Sequence, residues 1–327
     1  MKSFWLRQSQ SGTVLECRET PVPEPSAGQI LVRMRAAGLN RGEFIARRDL
    51  HGASAEPKPS GNEGAGEVAA VGSGVSRFKA GDRAMGVCMG AFSEYVLMDE
   101  RVAMQVPARL SWEAAAVTPL VFLLTHDMLI AQGRLKPGEW VLVCGASSGV
   151  GVATLLAARA LGAHVIGTSS SDVKLEKLAR LGMQAGVRTR GPGFNETVMR
   201  ATDGKGADVI INALGGSVFE ECLRSLAFEG RLAAVGYVDG VSDSRLDIAA
   251  LHAKRLKLFG VSALLRTPEQ RIATVRGFES DLLPFFADGR IEPVIDRVFD
   301  FDELPAAKAH MESNAHLGKI AVKIGAQ

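Results

Sequence analysis

The sequence predicts an α/β chain of two units, a β-barrel-like unit and a doubly wound parallel sheet. Three observations carry this. Glycine recurs through the first third, at Gly61, Gly64, Gly66, Gly72, Gly74, Gly81, Gly86 and Gly90, with short apolar runs between. From about Trp112 onward, apolar strand-like runs alternate with helix-like ones. The length of 327 residues suits about two domains rather than one.

Taken in order, Gln29 to Ala36 is an apolar strand, preceded by a turn-rich stretch from Pro21 to Gly28. Glu67 to Val71 and Ser93 to Met98 are short strands between glycine turns. Trp140 to Cys144 reads as a buried strand and Gly149 to Leu161 as an Ala-rich helix. His164 to Thr168 and Asp172 to Leu181 repeat the strand–helix pair. The strand Asp208 to Asn212, the helix Ser217 to Leu226 and the strands Arg231 to Val235 and Leu256 to Val261 continue it. Beyond about Ser262 the alternation stops. A helix-like stretch from Pro268 to Ala287 precedes short strands at Val294 to Phe299 and Lys319 to Ile324. On its own this tail reads equally as a third small unit or as a return to the first.

Composition narrows the function classes. Lys+Arg 38 against Asp+Glu 36 leaves a net charge of +2, without the basic excess of a dedicated nucleic-acid or membrane-surface binder. No apolar run reaches the roughly 18 residues of a membrane span. Met1 to Gly12 is polar and lacks the apolar core of a signal peptide, so a cytoplasmic location is expected. Cys17, Cys88, Cys144 and Cys222 stand singly, which argues against a local metal loop or a disulfide framework. They are expected to be small buried hydrophobes.

The strongest local signal is the stretch Val141 to Gly151, a strand running into the tight turn GASSGVG and then a helix. Small residues there let the backbone approach a pyrophosphate, and the helix N-terminus turns its free N–H groups toward the anion. The strict G-x-G-x-x-G is absent; Ala146, Ser148 and Gly151 occupy its places. The same pattern also serves a close strand–helix crossing with no ligand. In this alternating context it points to a dinucleotide held by Gly145, Ala146, Ser147, Ser148, Gly149, Val150 and Gly151. The next strand ends Gly167 to Ser171 (GTSSS) without the carboxylate that holds a ribose 2′-hydroxyl in NAD sites. Hydroxyls at Ser169 and Ser170, the ammonium of Lys174 and the guanidinium of Arg188 suit a 2′-phosphate, so NADPH is the expected cofactor. Asp172 opposes that reading, and Lys174 also reads as a solvated helix residue.

With these pieces placed, the chain resembles the medium-chain dehydrogenase/reductase superfamily, and within it the zinc-independent quinone oxidoreductases of the zeta-crystallin type. The resemblance spans about Pro21 to Ile324. Its landmarks are Ala36 to Asn40 (AAGLN), Gly61 to Val68 (GNEGAGEV), Val71 to Arg83 (VGSGVSRFKAGDR), Gly145 to Gly151, Gly215 and Gly216, Gly230 to Leu232, and Gly318 with Lys319. It implies a GroES-like β-barrel catalytic domain over 1–120, completed by 265–327. A Rossmann cofactor domain over 121–264 is then inserted, the active site lies in the cleft between the two, and a homodimer pairs through the strand near Leu256 to Val261.

Zinc-dependent relatives place a Cys after AAG-hydrophobic and a His in Gly-His-Glu; here those positions hold Asn40 and Asn62. Val117 to Thr125 has no Cys, and the four-Cys structural lobe is missing. An amide is a poor zinc ligand, so no metal is expected. Without a Lewis acid the substrate must already accept hydride readily, as a quinone or α,β-unsaturated carbonyl does. The resemblance places Asn40 and Thr125 beside nicotinamide and substrate, Tyr237 at the nicotinamide pocket and Asn314 near the cofactor phosphate. Glu43 and Glu63 sit beside the vacated metal position, where either could hold Arg47 or another cation. Quinone-type relatives carry two Tyr where this chain has Ile45 and His51. His51 is a candidate proton donor, or a solvent-facing loop histidine. Reduction of an enoyl thioester and NADPH binding without turnover, as a redox sensor or nucleic-acid binder, are the alternative functions.

Overall fold

The structure is a computed structural model that describes residues 1–9, 12–44, 57–263 and 265–325. The first elements are β1 (Lys2–Ser9), β2 (Gly12–Glu19), β3 (Gln29–Gly38), α1 (Arg41–Phe44), β4 (Lys58–Pro59), β5 (Glu63–Val71), β6 (Arg83–Val87), β7 (Tyr95–Asp99) and β8 (Met104–Gln105). Helices α2 (Trp112–Ala116) and α3 (Pro119–His126) lead to β9 (Trp140–Cys144), α4 (Gly149–Ala160), β10 (His164–Ser169), α5 (Asp172–Arg180) and β11 (Ala185–Arg188). Then come α6 (Asn195–Ala201), β12 (Ala207–Asn212), α7 (Phe219–Ser225), β13 (Leu226–Ala234), α8 (Ile248–Ala253) and β14 (Lys257–Gly260). The chain ends with α9 (Pro268–Asp281), α10 (Leu283–Ala287), β15 (Ile295–Asp300), α11 (Leu304–Glu312) and β16 (Lys319–Lys323).

Two compact units result: Met1–Leu120 with Pro293–Gln327, and Val121–Glu292. The resemblance implied that the chain rejoins the first unit near residue 265. The structure keeps α9 and α10 in the second unit and returns at Pro293. The stretch from Pro268 to Ala287 is two helices rather than one, because Pro284 sits in the first turn of α10, after a break at Leu282.

In the first unit β3 is the hub, pairing antiparallel with β5, β7 and β16. Ile30, Val32 and Met34 alternate inward and are at most 1% exposed, as period-two burial requires. The hairpin β1–β2, which the sequence pattern does not reveal, pairs Lys2 with Glu19 through Ser9 with Gly12. Among the described residues it buries the apolar side chains of Phe4 and Leu6 in the core, with Leu15 packed against it, too short an apolar signature to stand out among its polar neighbours. Phe4 meets Phe301 edge to face at 5.1 Å, tying the N-terminal strand to the returning tail.

In the second unit six parallel strands run in the order β11-β10-β9-β12-β13-β14. The strand order reverses its progression between β9 and β12, the position at which such sheets bind ligands at their carboxyl ends. Val141, Leu142, Val143 and Cys144 are all 0% exposed, which explains the unbroken apolar run. Cys144 and Cys222 are free thiols 3.7 Å apart across β9 and α7. Cys17, in contrast to the expectation for all four cysteines, is exposed. No helix among the described residues is long and apolar enough to cross a membrane.

Helix α6 has no capping side chain of its own. Glu221 of α7 supplies one from a distance: its buried carboxylate accepts the backbone N–H groups of Gly193 at 2.5 Å and of Phe194 and Asn195 at 2.7 Å. Glu221→Ala leaves these donors without their acceptor, that of Phe194 in the buried core. A loss of about 2–4 kcal/mol is expected in urea unfolding, with the slope unchanged.

Candidate functional site

In the second unit the turn between β9 and α4 is built as a backbone cradle. Gly145 takes the left-handed φ of +81° that starts the turn. Its N–H donates to Thr168 Oγ1 at 3.0 Å, and the Ala146 N–H donates to the Thr168 carbonyl at 2.9 Å. Ala146 stands where the fingerprint has glycine, and Gly167 on β10 makes the room: a Cβ added there would lie 2.7 Å from the Ala146 methyl. Ser148 caps α4, accepting the Gly151 N–H at 3.1 Å and donating to the Gly145 carbonyl at 2.9 Å. Gly149 and Val150 begin the first helical turn, where N–H groups have no intrahelical acceptor. A Cβ on Gly151 would lie 2.5 Å from the Gly145 carbonyl oxygen, so this position holds helix against strand.

The β10 tip lies beside this turn, Ser169 Oγ donating to Ser147 Oγ at 3.4 Å. Ser170 is exposed, and Ser171 caps α5 through the Lys174 N–H. Arg188, at the end of β11, pairs with Asp172 at 2.9 Å on an exposed rim. The two opposing influences read from the sequence are therefore one ion pair. Tyr237 follows β13 and is 62% exposed. Its neighbour Asp239 organises the loop, accepting the Ser217 hydroxyl at 2.5 Å and the Val241 N–H at 2.9 Å. Thr125, on α3, is fully buried and its Oγ1 has no hydrogen-bond partner among the described residues.

The first unit holds a second cluster, around Asn40. The Lys319 ammonium donates to the Leu39 carbonyl and Asn40 Oδ1 at 2.6 Å and to Glu63 Oε1 at 2.7 Å. Glu63 is 0% exposed, and its Oε2 accepts the Leu120 N–H at 2.7 Å. Gly38 creates the space, since a Cβ there would stand 2.7 Å from Glu63 Oε1. Asn40 Nδ2 donates to Glu63 Oε1 at 2.9 Å and to Glu43 Oε1 at 3.1 Å, and the Asn62 N–H also reaches Glu43 Oε1 at 3.1 Å. The cation expected between the two acids is thus Lys319. Both amide hydrogens and the oxygen of Asn40 are engaged by the protein itself, so Asn40 positions its neighbours. Desolvation pushes the Glu43 carboxyl up to about 8, opposed by the hydrogen bond from Asn40. Burial, helped by the two nearby carboxylates, holds the Cys88 thiol protonated.

Asn314 lies past α11 with φ +58°, its Oδ1 accepting Arg41 at 2.6 Å. His51, Ile45 and Arg47 lie outside the described residues. Among the described residues no group of three His, Cys, Asp or Glu is arranged to hold a metal ion. Of the two positions where zinc-dependent relatives carry ligands, Asn40 offers only an amide whose oxygen already accepts the Lys319 ammonium, and Asn62 offers another amide, a poor fit to zinc. Sequence reasoning missed Lys319 as a site residue; its only signal was its place in the Gly318–Lys319 landmark.

Two outcomes test this geometry. Gly151→Ala forces β9 and α4 apart against backbone that cannot yield, and a loss of about 1–3 kcal/mol in thermal unfolding, together with weaker dinucleotide binding in calorimetry, is expected. For Glu43, the folded value of about 8 lies above the reference value of 4.5, so the folded state binds the extra proton within that window. Its contribution to stability is complete below pH 4.5 and is lost as pH rises toward 8. Glu43→Gln removes that loss, so its melting temperature is expected to fall less steeply than that of the unsubstituted protein across the same window.

Residues 26–108 match the family described as the alcohol dehydrogenase GroES-like domain, and residues 149–276 the family described as zinc-binding dehydrogenase. Quinone oxidoreductase-like protein 2 of Bos taurus is 30% identical over 314 residues, covering 94% of this chain and 88% of the relative. A component of the phenolphthiocerol/phthiocerol polyketide synthase of Mycobacterium tuberculosis is 31% identical over 311 residues, 95% of this chain but 14% of that component, so the chain spans about a seventh of that relative's length. Among solved structures, the CurK enoyl reductase superposes with a TM-score of 0.85 at 26% identity, covering 99% of this chain and 100% of that one. The chain belongs to the medium-chain dehydrogenase/reductase superfamily, in its quinone-oxidoreductase-like branch.

Proposed function

We propose that this protein is an NADPH-dependent reductase that transfers hydride to a quinone or an α,β-unsaturated carbonyl without a bound metal. The observation that carries the reading is the β9–α4 turn, with its capped helix start, beside a β10 tip that offers serine hydroxyls and no carboxylate. Gly145 to Gly151 would hold the pyrophosphate on backbone N–H groups. Ser170 and Lys174 would hold the 2′-phosphate, with Arg188 joining when it leaves Asp172. The buried, unpartnered Thr125 hydroxyl supports a polar contact to the nicotinamide end. NADPH, when bound, supplies the hydride.

The Lys319 ammonium in the cradle of Asn40 and Glu63 supports metal-free chemistry. An acceptor without Lewis-acid help must delocalise the incoming charge onto its own oxygen, which quinones and enones do. The protein's share is then orientation and exclusion of water; holding two reactants in near-attack geometry is worth roughly 7–11 kcal/mol of barrier. A homodimer paired along β14, the outer strand of the parallel sheet, belongs to the same reading. Reduction of an enoyl thioester is a second reading, favoured by the likeness to the CurK enoyl reductase and to the polyketide synthase.

Dihydronicotinamide absorbance followed with NADPH, then NADH, against quinone, enone and enoyl-thioester panels tests both. Consumption of NADPH in preference to NADH is expected, with the productive panel naming the substrate class. Lys174→Ala is expected to raise the KM for NADPH about tenfold and leave that for NADH unchanged. Tight NADPH binding without turnover on any panel would overturn the enzymatic reading, and stoichiometric zinc would overturn its metal-free form.

A further inference from the structure

Within the second unit, one exposed carboxylate joins the loops that leave β12 and β13. The turn 214–217 follows β12, and buried Asn212 shapes it. Asn212 Oδ1 accepts the N–H groups of Leu214 and Gly215 at 3.0 Å, and its Nδ2 donates to the Gly215 carbonyl at 2.8 Å. Asp239, in the loop 237–246 after β13, fastens that turn to its own loop. One carboxylate oxygen accepts the Ser217 hydroxyl at 2.5 Å and the Ser217 N–H at 3.1 Å; the other accepts the Val241 N–H at 2.9 Å. Two backbone bonds complete the clasp, from the Asp239 N–H to the Leu214 carbonyl at 3.0 Å and from the Gly216 N–H to the Val241 carbonyl at 2.8 Å. Gly215, at φ +139°, makes the room, since a Cβ there would stand 2.0 Å from Asp239 Oδ1. Desolvation opposes the charge on Asp239, but the donors of Ser217 and Val241 outweigh it and hold the carboxyl below the usual carboxylate range.

Among the described residues, every hydrogen bond from the loop 237–246 to the rest of the second unit goes to this turn. The loop is exposed along its whole length, Tyr237 at 62% and Val238 at 60%. It therefore takes its position from the clasp rather than from burial. The clasped turn in its own right adjoins the dinucleotide turn: a Cβ on Gly145 would lie 3.2 Å from Leu214 Cδ2.

The strand order gives these loops their place. With the 2′-phosphate at the β10 tip and the pyrophosphate at the β9–α4 turn, the other half of a dinucleotide extends past β9 toward the ends of β12 and β13. We propose that Asp239 is a positioning residue for the nicotinamide half of NADPH, fixing the wall on which that half rests, an inference that rests on the dinucleotide reading above. Asp239 acts through the turn 214–217 and the loop that carries Tyr237, and it is the clasp rather than its charge that matters to the ligand.

Calorimetric titration with NADPH and with adenosine 2′,5′-bisphosphate tests this, because the second probe keeps the 2′-phosphate and lacks the nicotinamide. Asp239→Ala is expected to bind NADPH about tenfold more weakly and the bisphosphate within about twofold of the unsubstituted protein. Asp239→Asn, whose amide keeps one acceptor oxygen, is expected to fall between the two. Ser217→Ala is expected to lose about threefold for NADPH alone, and to add nothing further when combined with Asp239→Ala. An unchanged NADPH affinity in Asp239→Ala, an equal loss for both probes, or losses that multiply in the double variant would each overturn the proposal and leave the dinucleotide reading standing. If Asp239→Ala fails to fold, Asp239→Asn and Ser217→Ala carry the same comparison. Failure of the unsubstituted protein to bind either probe removes the dinucleotide reading and the proposal with it.

Discussion

The Lys319 ammonium lies among three oxygens with 7% of its side chain exposed, against a Glu63 side chain with none. An ion pair so removed from water gains only where the remaining donors and acceptors are also met, and here they are. The pair fastens three distant stretches: the returning strand β16, the junction of β3 with α1, and the start of β5. Removing either partner would leave an uncompensated charge in the interior of the first unit.

From that arrangement the two acids part company. Glu63 has the Lys319 ammonium at 2.7 Å, whereas desolvation pushes the Glu43 carboxyl up to about 8. In the second unit the corresponding work is done by backbone. Gly145 bends, Gly151 lets α4 press on β9, and Gly167 yields space for the Ala146 methyl. The departure from the usual glycine spacing is thus compensated one strand away, by a residue that no local pattern would single out.

Much of the fold was legible because burial on both faces writes itself into a parallel strand as an unbroken apolar run. Trp140 to Cys144 and Asp208 to Asn212 announce the sheet, and the GASSGVG turn announces its ligand end. The hairpin β1–β2 was not legible, since only Phe4 and Leu6 of β1 reach the core. The return at Pro293 was not legible either: α9 and α10 follow the last strand without a compositional break. In the site, Asn40 and Asn62 were visible as departures from a zinc-binding pattern, and Glu43 and Glu63 as acids beside it. Lys319, 256 residues from Glu63 in the chain, was not visible as their cation, because sequence carries no distance between such positions. The pairing of Arg188 with Asp172 was hidden for the same reason, although each residue is conspicuous by itself.

A dinucleotide site that prefers a 2′-phosphate underlies the proposed reaction. Calorimetric titration of the protein with NADPH and with NADH, at low and at raised salt, tests this most directly. NADPH is expected to bind about tenfold tighter or more, with the gap narrowing as salt screens the exposed basic rim. Equal or tighter binding of NADH, or no binding of either, would contradict it.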